Sequence, residues 1–169
     1  AVPYEIVDRF IVLVEKETLP IVIVLNKVDL ISDEQIEKFE KTYRQIYPVV
    51  RTSAKSKIGI DELSSYLSDR VSVFAGMSGV GKSSLLNTID SKLELRTGEL
   101  SERLERGKHT TTSASLLRIS SGGWVVDTPG FASLEIEDIE IKKLRELFVE
   151  FENEKCYFQD CLHVDEVGC

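Results

Sequence analysis

The sequence predicts an α/β fold, a mostly parallel sheet covered on both faces by helices. Three observations predict it. Short continuous apolar runs, PIVIVL at 20–25, PVV at 48–50 and VSVF at 71–74, each lead into polar or glycine-rich residues. Strands buried on both faces of a sheet, with a functional loop at the carboxyl end, read in this way. Between the runs, apolar residues recur at three- and four-residue spacing, the period of an amphipathic helix. A glycine-rich stretch, GMSGVGKSS at 76–84, sits where a strand pattern gives way to a helix pattern. Strands alternating with helices build layered parallel sheets.

In chain order, Pro3 opens a helix whose apolar stripe is Ile6, Val7, Phe10 and Val14, proline being suited to a first turn. The strand in PIVIVLNKVDL follows. Ser32 and Gln35 have capping-box spacing, and the helix behind them places Ile36, Phe39, Tyr43 and Ile46 on one side. PVVRTSAK, 48–55, is a second short strand with a polar end. Ile60, Leu63 and Leu67 mark another helix. VSVFAG, 71–76, is a third strand running into the glycine-rich loop and the helix KSSLLNTI at 82–89. Residues 91–112 are polar and weakly periodic, which predicts a mobile loop. SLLRISSGGWVVDTPG, 115–130, predicts a hairpin about Gly122-Gly123. EIEDIEIKKLRELFVEF, 135–151, predicts a final amphipathic helix.

The 169 residues suffice for one α/β domain with a small appendage. Apolar content of 42% and charged content of 30% are ordinary for a soluble globular chain. No apolar run is long enough to span a membrane, and no charged start followed by an apolar stretch marks a signal peptide. The opening, AVPYEIVDRFIVLVEK, begins inside a periodic segment, so a piece of a longer protein is expected. A net charge of −8 argues against a large nonspecific nucleic-acid surface on this piece. All three cysteines fall within the last fourteen residues, which predicts a reducing, cytoplasmic setting and a local metal site.

Gly76, Met77, Ser78, Gly79, Val80, Gly81, Lys82 and Ser83 fit G-x4-G-K-[ST], and Ser84 continues the loop into the helix. Glycines let consecutive N–H groups turn inward around phosphates, and the helix that follows adds the positive end of its dipole. Lys82 is expected to reach the β- and γ-phosphates, and the Ser83 hydroxyl to ligate Mg²⁺. This motif selects a nucleoside triphosphate without selecting its base.

The base reader is expected at Asn26-Lys27-Val28-Asp29. Guanine offers N1–H and N2–H₂ as adjacent donors, and one carboxylate accepts both. Adenine offers an acceptor there and leaves the charge unpaired. Asp29 is the carboxylate. Asn26 is expected to bind the base edge and brace the phosphate loop, and the Lys27 stem to cover the base face. The next strand ends in Ser53-Ala54-Lys55, where the Ala54 N–H suits guanine O6 and Ser53 supports Asp29.

Asp127-Thr-Pro-Gly130 closes the strand WVVD. A strand-end carboxylate there holds Mg²⁺ through water in P-loop enzymes, and the Gly130 N–H suits the γ-phosphate. Upstream, GKHTTT at 107–112 offers a threonine hydroxyl as a further Mg²⁺ ligand. Thr111 is favoured, with Thr110 and Thr112 left open. The motif order is base reader, SAK, phosphate loop, threonine loop, DTPG. The site requires only that these loops meet at one sheet edge, so the order is read as a circular permutation, which moves the chain ends to a surface loop.

The tail, Cys156-x4-Cys161-x-His163-x5-Cys169, supplies three thiolates and one imidazole. That is a complete tetrahedral set with no open position, hence a structural Zn²⁺ site. Three unrelated thiols beside a surface histidine are the alternative.

With GMSGVGKSS, GKHTTT, DTPGF and the cysteine tail in this order, nearly the whole chain resembles the RsgA (YjeQ) family of bacterial circularly permuted GTPases. The resemblance implies GTP hydrolysis to GDP and phosphate as a switch in late maturation of the 30S ribosomal subunit, stimulated by that subunit and its rRNA. It implies a GTPase domain over 1–151 and a zinc segment over 152–169, preceded in the full protein by an OB-fold domain. It matches all four zinc positions. A monomer with no membrane contact is expected. Phe131 follows Gly130 where many GTPases carry a water-orienting glutamine, and the family shares that substitution. His109 is then the candidate for orienting water, with a ribosomal group or a bound cation as alternatives. Two other functions stay open: a GTP-gated binding module with negligible hydrolysis, and a permuted GTPase of the large ribosomal subunit.

Overall fold

The computed structural model describes residues 3–95, 115–127, 139–152 and 155–169. The chain forms two compact units, Val22–Ser133 and a second assembled from its two ends, Ala1–Ile21 with Leu134–Cys169. The boundary expected at 151/152 divides the chain by chemistry, whereas these units divide it by packing.

The larger unit holds five described strands. β1 (Ile23–Leu25) and β2 (Val49–Arg51) pair in parallel, Val24 opposite Val50. β3 (Val71–Val73) pairs in parallel with β5 (Trp124–Asp127), Ser72 opposite Val125. β4 (Ser115–Arg118) pairs antiparallel with β5, so the expected hairpin is present. Its turn closes with Gly122 N–H donating to Ile119 O and Ile119 N–H to Gly123 O, both at 3.0 Å. A Cβ on Gly123 would overlap the Leu67 carbonyl, so no larger residue fits there.

The helices lie where periodicity predicts them. α2 (Asp33–Tyr43) starts at Ser32, whose hydroxyl accepts the Gln35 N–H while the Gln35 side chain receives the Ser32 N–H. That reciprocal pair satisfies two donors that a helix start leaves open. Ile36, Phe39 and Tyr43 are buried on one face, with the Phe39 and Tyr43 rings 4.8 Å apart. Ile46 lies past the helix end and is half-buried, and Tyr47 is the buried residue there. α3 is Ile60–Leu67 and α4 is Lys82–Ile89. Together they roof two cores. Val50, Leu63 and Leu85 form one, and Leu67, Leu86, Ile119 and Val125 form the other. Phe74, where β3 ends, packs against both. This shared roof holds the carboxyl ends of β1, β2 and β3 in fixed relation.

The second unit contains α1 (Tyr4–Lys16), which buries Val12. The continuous helix expected over 135–151 is not what its described residues form. One turn, α5 (Ile141–Leu144), gives way to 3₁₀ turns at Arg145–Leu147 and Val149–Phe151, with Phe148 extended between them. Tertiary contacts explain the break. Arg145 Nη1 donates to the Gln159 and Cys161 carbonyls at 2.8 Å each, and Phe151 stacks on His163 with centroids 4.1 Å apart. A straight amphipathic helix would satisfy its own pattern and not these partners.

Candidate functional site

β1 ends at Leu25, and the next two side chains reach back to the glycine-rich loop. Asn26 Nδ2 donates to Val80 O at 2.8 Å, and Lys27 Nζ donates to Gly79 O at 2.8 Å. Lys27 adopts a left-handed backbone (φ 63°), which turns the chain into the short 3₁₀ segment Val28–Leu30 that carries Asp29. Gly81 makes the contact possible. It has φ 101°, and a Cβ there would overlap Asn26 Nδ2.

Asp29 Oδ1 accepts the Ser53 hydroxyl at 2.6 Å, and Ser53 Oγ accepts the Ser56 N–H at 3.0 Å. An ionised carboxylate has roughly four acceptor positions, so one bond from Ser53 leaves capacity for two donors on a base. Ser53 is buried and, with Ala54 and Lys55, follows Thr52 just past the end of β2. The structure therefore brings Asn26, Lys27, Asp29, Ser53 and the 76–84 loop together where β1, β2 and β3 end.

Within the loop, Lys82 Nζ donates to Gly76 O at 2.7 Å and to Met77 O at 2.9 Å. Burial pushes its pKa down from the usual lysine value. A polyphosphate at this position supplies the negative charge that reverses that effect. Ser83 is buried in the first turn of α4, and Met77, Ser78, Gly79 and Val80 line the exposed rim. Asp127 closes β5 in register with Ser115. His109, Thr110, Thr111, Thr112, Gly130 and Phe131 lie outside the described residues.

Sequence reasoning missed several supporting groups. Thr52, fully buried, donates its hydroxyl to Asn26 Oδ1 at 3.2 Å, which fixes the amide with Nδ2 toward Val80. Its signal was adjacency, since it directly precedes SAK. Glu40 on α2 is 6% exposed and receives Arg51 Nε at 2.6 Å, a second bond from Arg51 Nη2, and Arg44 Nη1 at 3.3 Å. The Arg51 hydrogen bond chiefly holds the Glu40 carboxyl below the usual range. This pair ties α2 to the end of β2, two residues before Ser53. Asn87 on α4 brackets Leu95, accepting its N–H at 2.9 Å and donating to its carbonyl at 2.6 Å.

The tail gathers its four expected ligands. Cys156, Cys161 and Cys169 Sγ lie 3.3, 3.9 and 3.5 Å from His163 Nδ1. All four donor atoms fall within 4.8 Å of one another. Zinc–sulfur and zinc–nitrogen bonds of about 2.3 and 2.0 Å at tetrahedral angles put nitrogen and sulfur about 3.5 Å apart, so the donor set fits that ion. Burial and the Cys161 thiol push the Cys156 thiol up. Cys169 is pushed up to about 11, chiefly by its hydrogen bond to Cys161. Thiols crowded in this way resist ionising together unless a cation compensates.

A G-x4-G-K-S loop braced by an N-K-x-D segment that precedes it in the chain defines the class: a P-loop GTPase fold with permuted motif order. The sequence model of the RsgA GTPase family matches residues 2–137, and the chain belongs to that family. It is 54% identical over 167 residues to the small ribosomal subunit biogenesis GTPase RsgA of Thermotoga neapolitana, covering 97% of this chain and 57% of that protein. It is 49% identical over 170 residues to the protein of the same name from a Geobacillus species, covering 97% of this chain and 58% of that one. The crystal structure of YjeQ from Thermotoga maritima superposes with a TM-score of 0.85 at 47% identity, over 99% of this chain and 57% of that one. The chain thus spans somewhat more than half of the relatives it matches.

Proposed function

We propose that this chain is the GTP-hydrolysing core of a small-subunit assembly switch. It cleaves GTP to GDP and phosphate, and the 30S subunit with its rRNA stimulates it. The observation that supports the reading is the Asn26–Val80 and Lys27–Gly79 brace, which joins the segment we read as the guanine reader to the glycine-rich loop in a member of the RsgA GTPase family. Relatives at about half identity bear the name small ribosomal subunit biogenesis GTPase.

In this reading Asp29 accepts the guanine N1–H and N2–H₂, and the Ala54 N–H meets O6. Lys27 covers the base. The N–H groups of 76–84 and Lys82 hold the phosphates, with Gly130 at the γ-phosphate. Ser83, Thr111 and Asp127 hold Mg²⁺, which neutralises charge on the β- and γ-oxygens when bound. His109 orients the attacking water. Cys156, Cys161, His163 and Cys169 hold one structural zinc. Residues 1–151 form the nucleotide domain and 152–169 the zinc segment. The protein works as a cytoplasmic monomer; no described helix is long and apolar enough to cross a membrane.

Phe131 favours one second reading, a GTP-gated binding module with negligible hydrolysis, since a phenyl ring cannot orient water. Single-turnover GTP cleavage by the full-length protein, with 30S, with 50S and alone, separates the two. Cleavage accelerated by 30S and unaffected by 50S is expected. Acceleration by 50S alone overturns the subunit assignment, and bound GTP that survives with either subunit leaves the module.

A further inference from the structure

His163 is the ligand whose placement the backbone resists. Its φ is 59°, a left-handed conformation that non-glycine residues adopt rarely. The two peptide N–H groups flanking it are held by one side chain. Leu162 N–H donates to Glu166 Oε1 at 2.7 Å, and Val164 N–H donates to Glu166 Oε2 at 2.8 Å. The Glu166 carbonyl also accepts the Cys169 N–H at 3.1 Å. Glu166 therefore grips the chain beside three ligands: Cys161 through Leu162, then His163, then Cys169. From the other side, the Phe151 ring stacks on the imidazole at 24°.

Glu166 lies outside the group of donor atoms that gather round the site. Its two carboxylate oxygens each accept one peptide N–H. A carboxylate accepting two N–H groups makes charge-assisted bonds, stronger than neutral ones. Groups behind metal ligands commonly fix which ring nitrogen binds.

We propose that Glu166 is the positioning residue of the tail's metal site: its carboxylate holds the Leu162–Val164 turn left-handed so that His163 presents Nδ1 to the three thiolates. This rests on the zinc reading of the cluster.

The test is zinc titration of the full-length protein against a chromophoric chelator, together with long-range ¹H–¹⁵N NMR of the zinc-saturated protein. This chain contributes only two histidines, which keeps the spectrum assignable. The parent binds one zinc with His163 ligating through Nδ1, and Cys161→Ser abolishes that binding. Glu166→Ala binds zinc about 10–100-fold more weakly, and at saturation His163 loses its Nδ1-ligated signature while the thiolates remain bound. Glu166→Gln offers one acceptor oxygen in the same shape and falls between the two. Should Glu166→Ala fail to fold, Glu166→Gln decides alone. Parent-like affinity in the decisive variant overturns the proposal. So does weaker affinity with Nδ1 ligation intact at saturation, because that result marks general loss of stability. A parent that binds no zinc sinks the zinc reading itself, an outcome visible before any variant is made.

Discussion

Ser53 Oγ lies 2.6 Å from Asp29 Oδ1, a hydrogen bond between the carboxyl ends of two neighbouring parallel strands. It orients the carboxylate before any base arrives, which lowers the ordering cost of binding. Asp29→Asn retains the shape but cannot accept both guanine donors. GTP affinity is expected to fall about 100-fold, by the few kcal/mol that a charge-assisted buried contact carries. Xanthosine triphosphate, whose 2-oxo group accepts from the new amide, should bind the variant better than GTP does. Competition between the two nucleotides checks this, and unchanged GTP affinity removes Asp29 from the base site.

Gly81 lets Asn26 approach the glycine-rich loop. Its φ of 101° and the overlap of any Cβ with Asn26 Nδ2 act together. Gly81→Ala must shift Asn26 away from the Val80 carbonyl, loosening the loop. Backbone strain of this kind costs about 1–3 kcal/mol. The expected result is at least tenfold weaker binding of both GTP and GDP, with the melting temperature lowered only modestly. Nucleotide titration by fluorescence and a thermal melt separate the local effect from global unfolding.

Much of this architecture is legible in the sequence because local rules and tertiary structure agree. Ser32 and Gln35 cap α2, KSSLLNTI forms α4 from end to end, and Gly122-Gly123 turns the hairpin. The residues that spacing singles out, Asn26, Asp29 and the four of the cysteine tail, are ones the structure brings beside their expected neighbours. The site was not legible where a residue acts through a partner distant in sequence. Nothing around Glu40 marks it as the buried partner of Arg51, and an amphipathic helix contains many such glutamates. Thr52 looks like an ordinary strand threonine until Asn26 lies beside it. The 135–151 pattern fits a helix, yet Phe151 and Arg145 leave it for His163 and the 159–161 carbonyls. Periodicity records what a segment can bury, and it does not record which partner will claim each side chain.

The Glu40–Arg51 pair predicts a pH dependence of stability. Its folded pKa lies below the ordinary value, chiefly through Arg51. A depressed carboxyl contributes stability that is fully present above the unfolded pKa, about 4.3, and is lost as pH falls through the folded value. Glu40→Gln should destabilise the protein at neutral pH by about 1–3 kcal/mol, less than a fully buried pair because the Arg51 side chain is 44% exposed. The variant's stability should also vary less with acid than the parent's. Denaturant midpoints between pH 7 and pH 3 test this. Curves that remain parallel across that range contradict the assignment.

Catalysis supplies the last prediction. Phe131 stands where a water-orienting side chain is expected, so GTP cleavage without the ribosome should be slow, on the order of 10⁻³ per second by analogy with unassisted GTPases. If His109 orients the water, its interaction strengthens in the transition state and adds little to ground-state binding. His109→Ala should then lower kcat and kcat/KM together while GTP affinity stays close to the parent's. Positioned acid–base or water-orienting groups typically contribute about 10²-fold or more, and the defect should be largest with 30S present if docking is what brings His109 to the nucleotide. Single-turnover cleavage by full-length protein at saturating 30S is the measurement. A His109→Ala protein that keeps the parent rate there assigns the water to a ribosomal group or a bound cation.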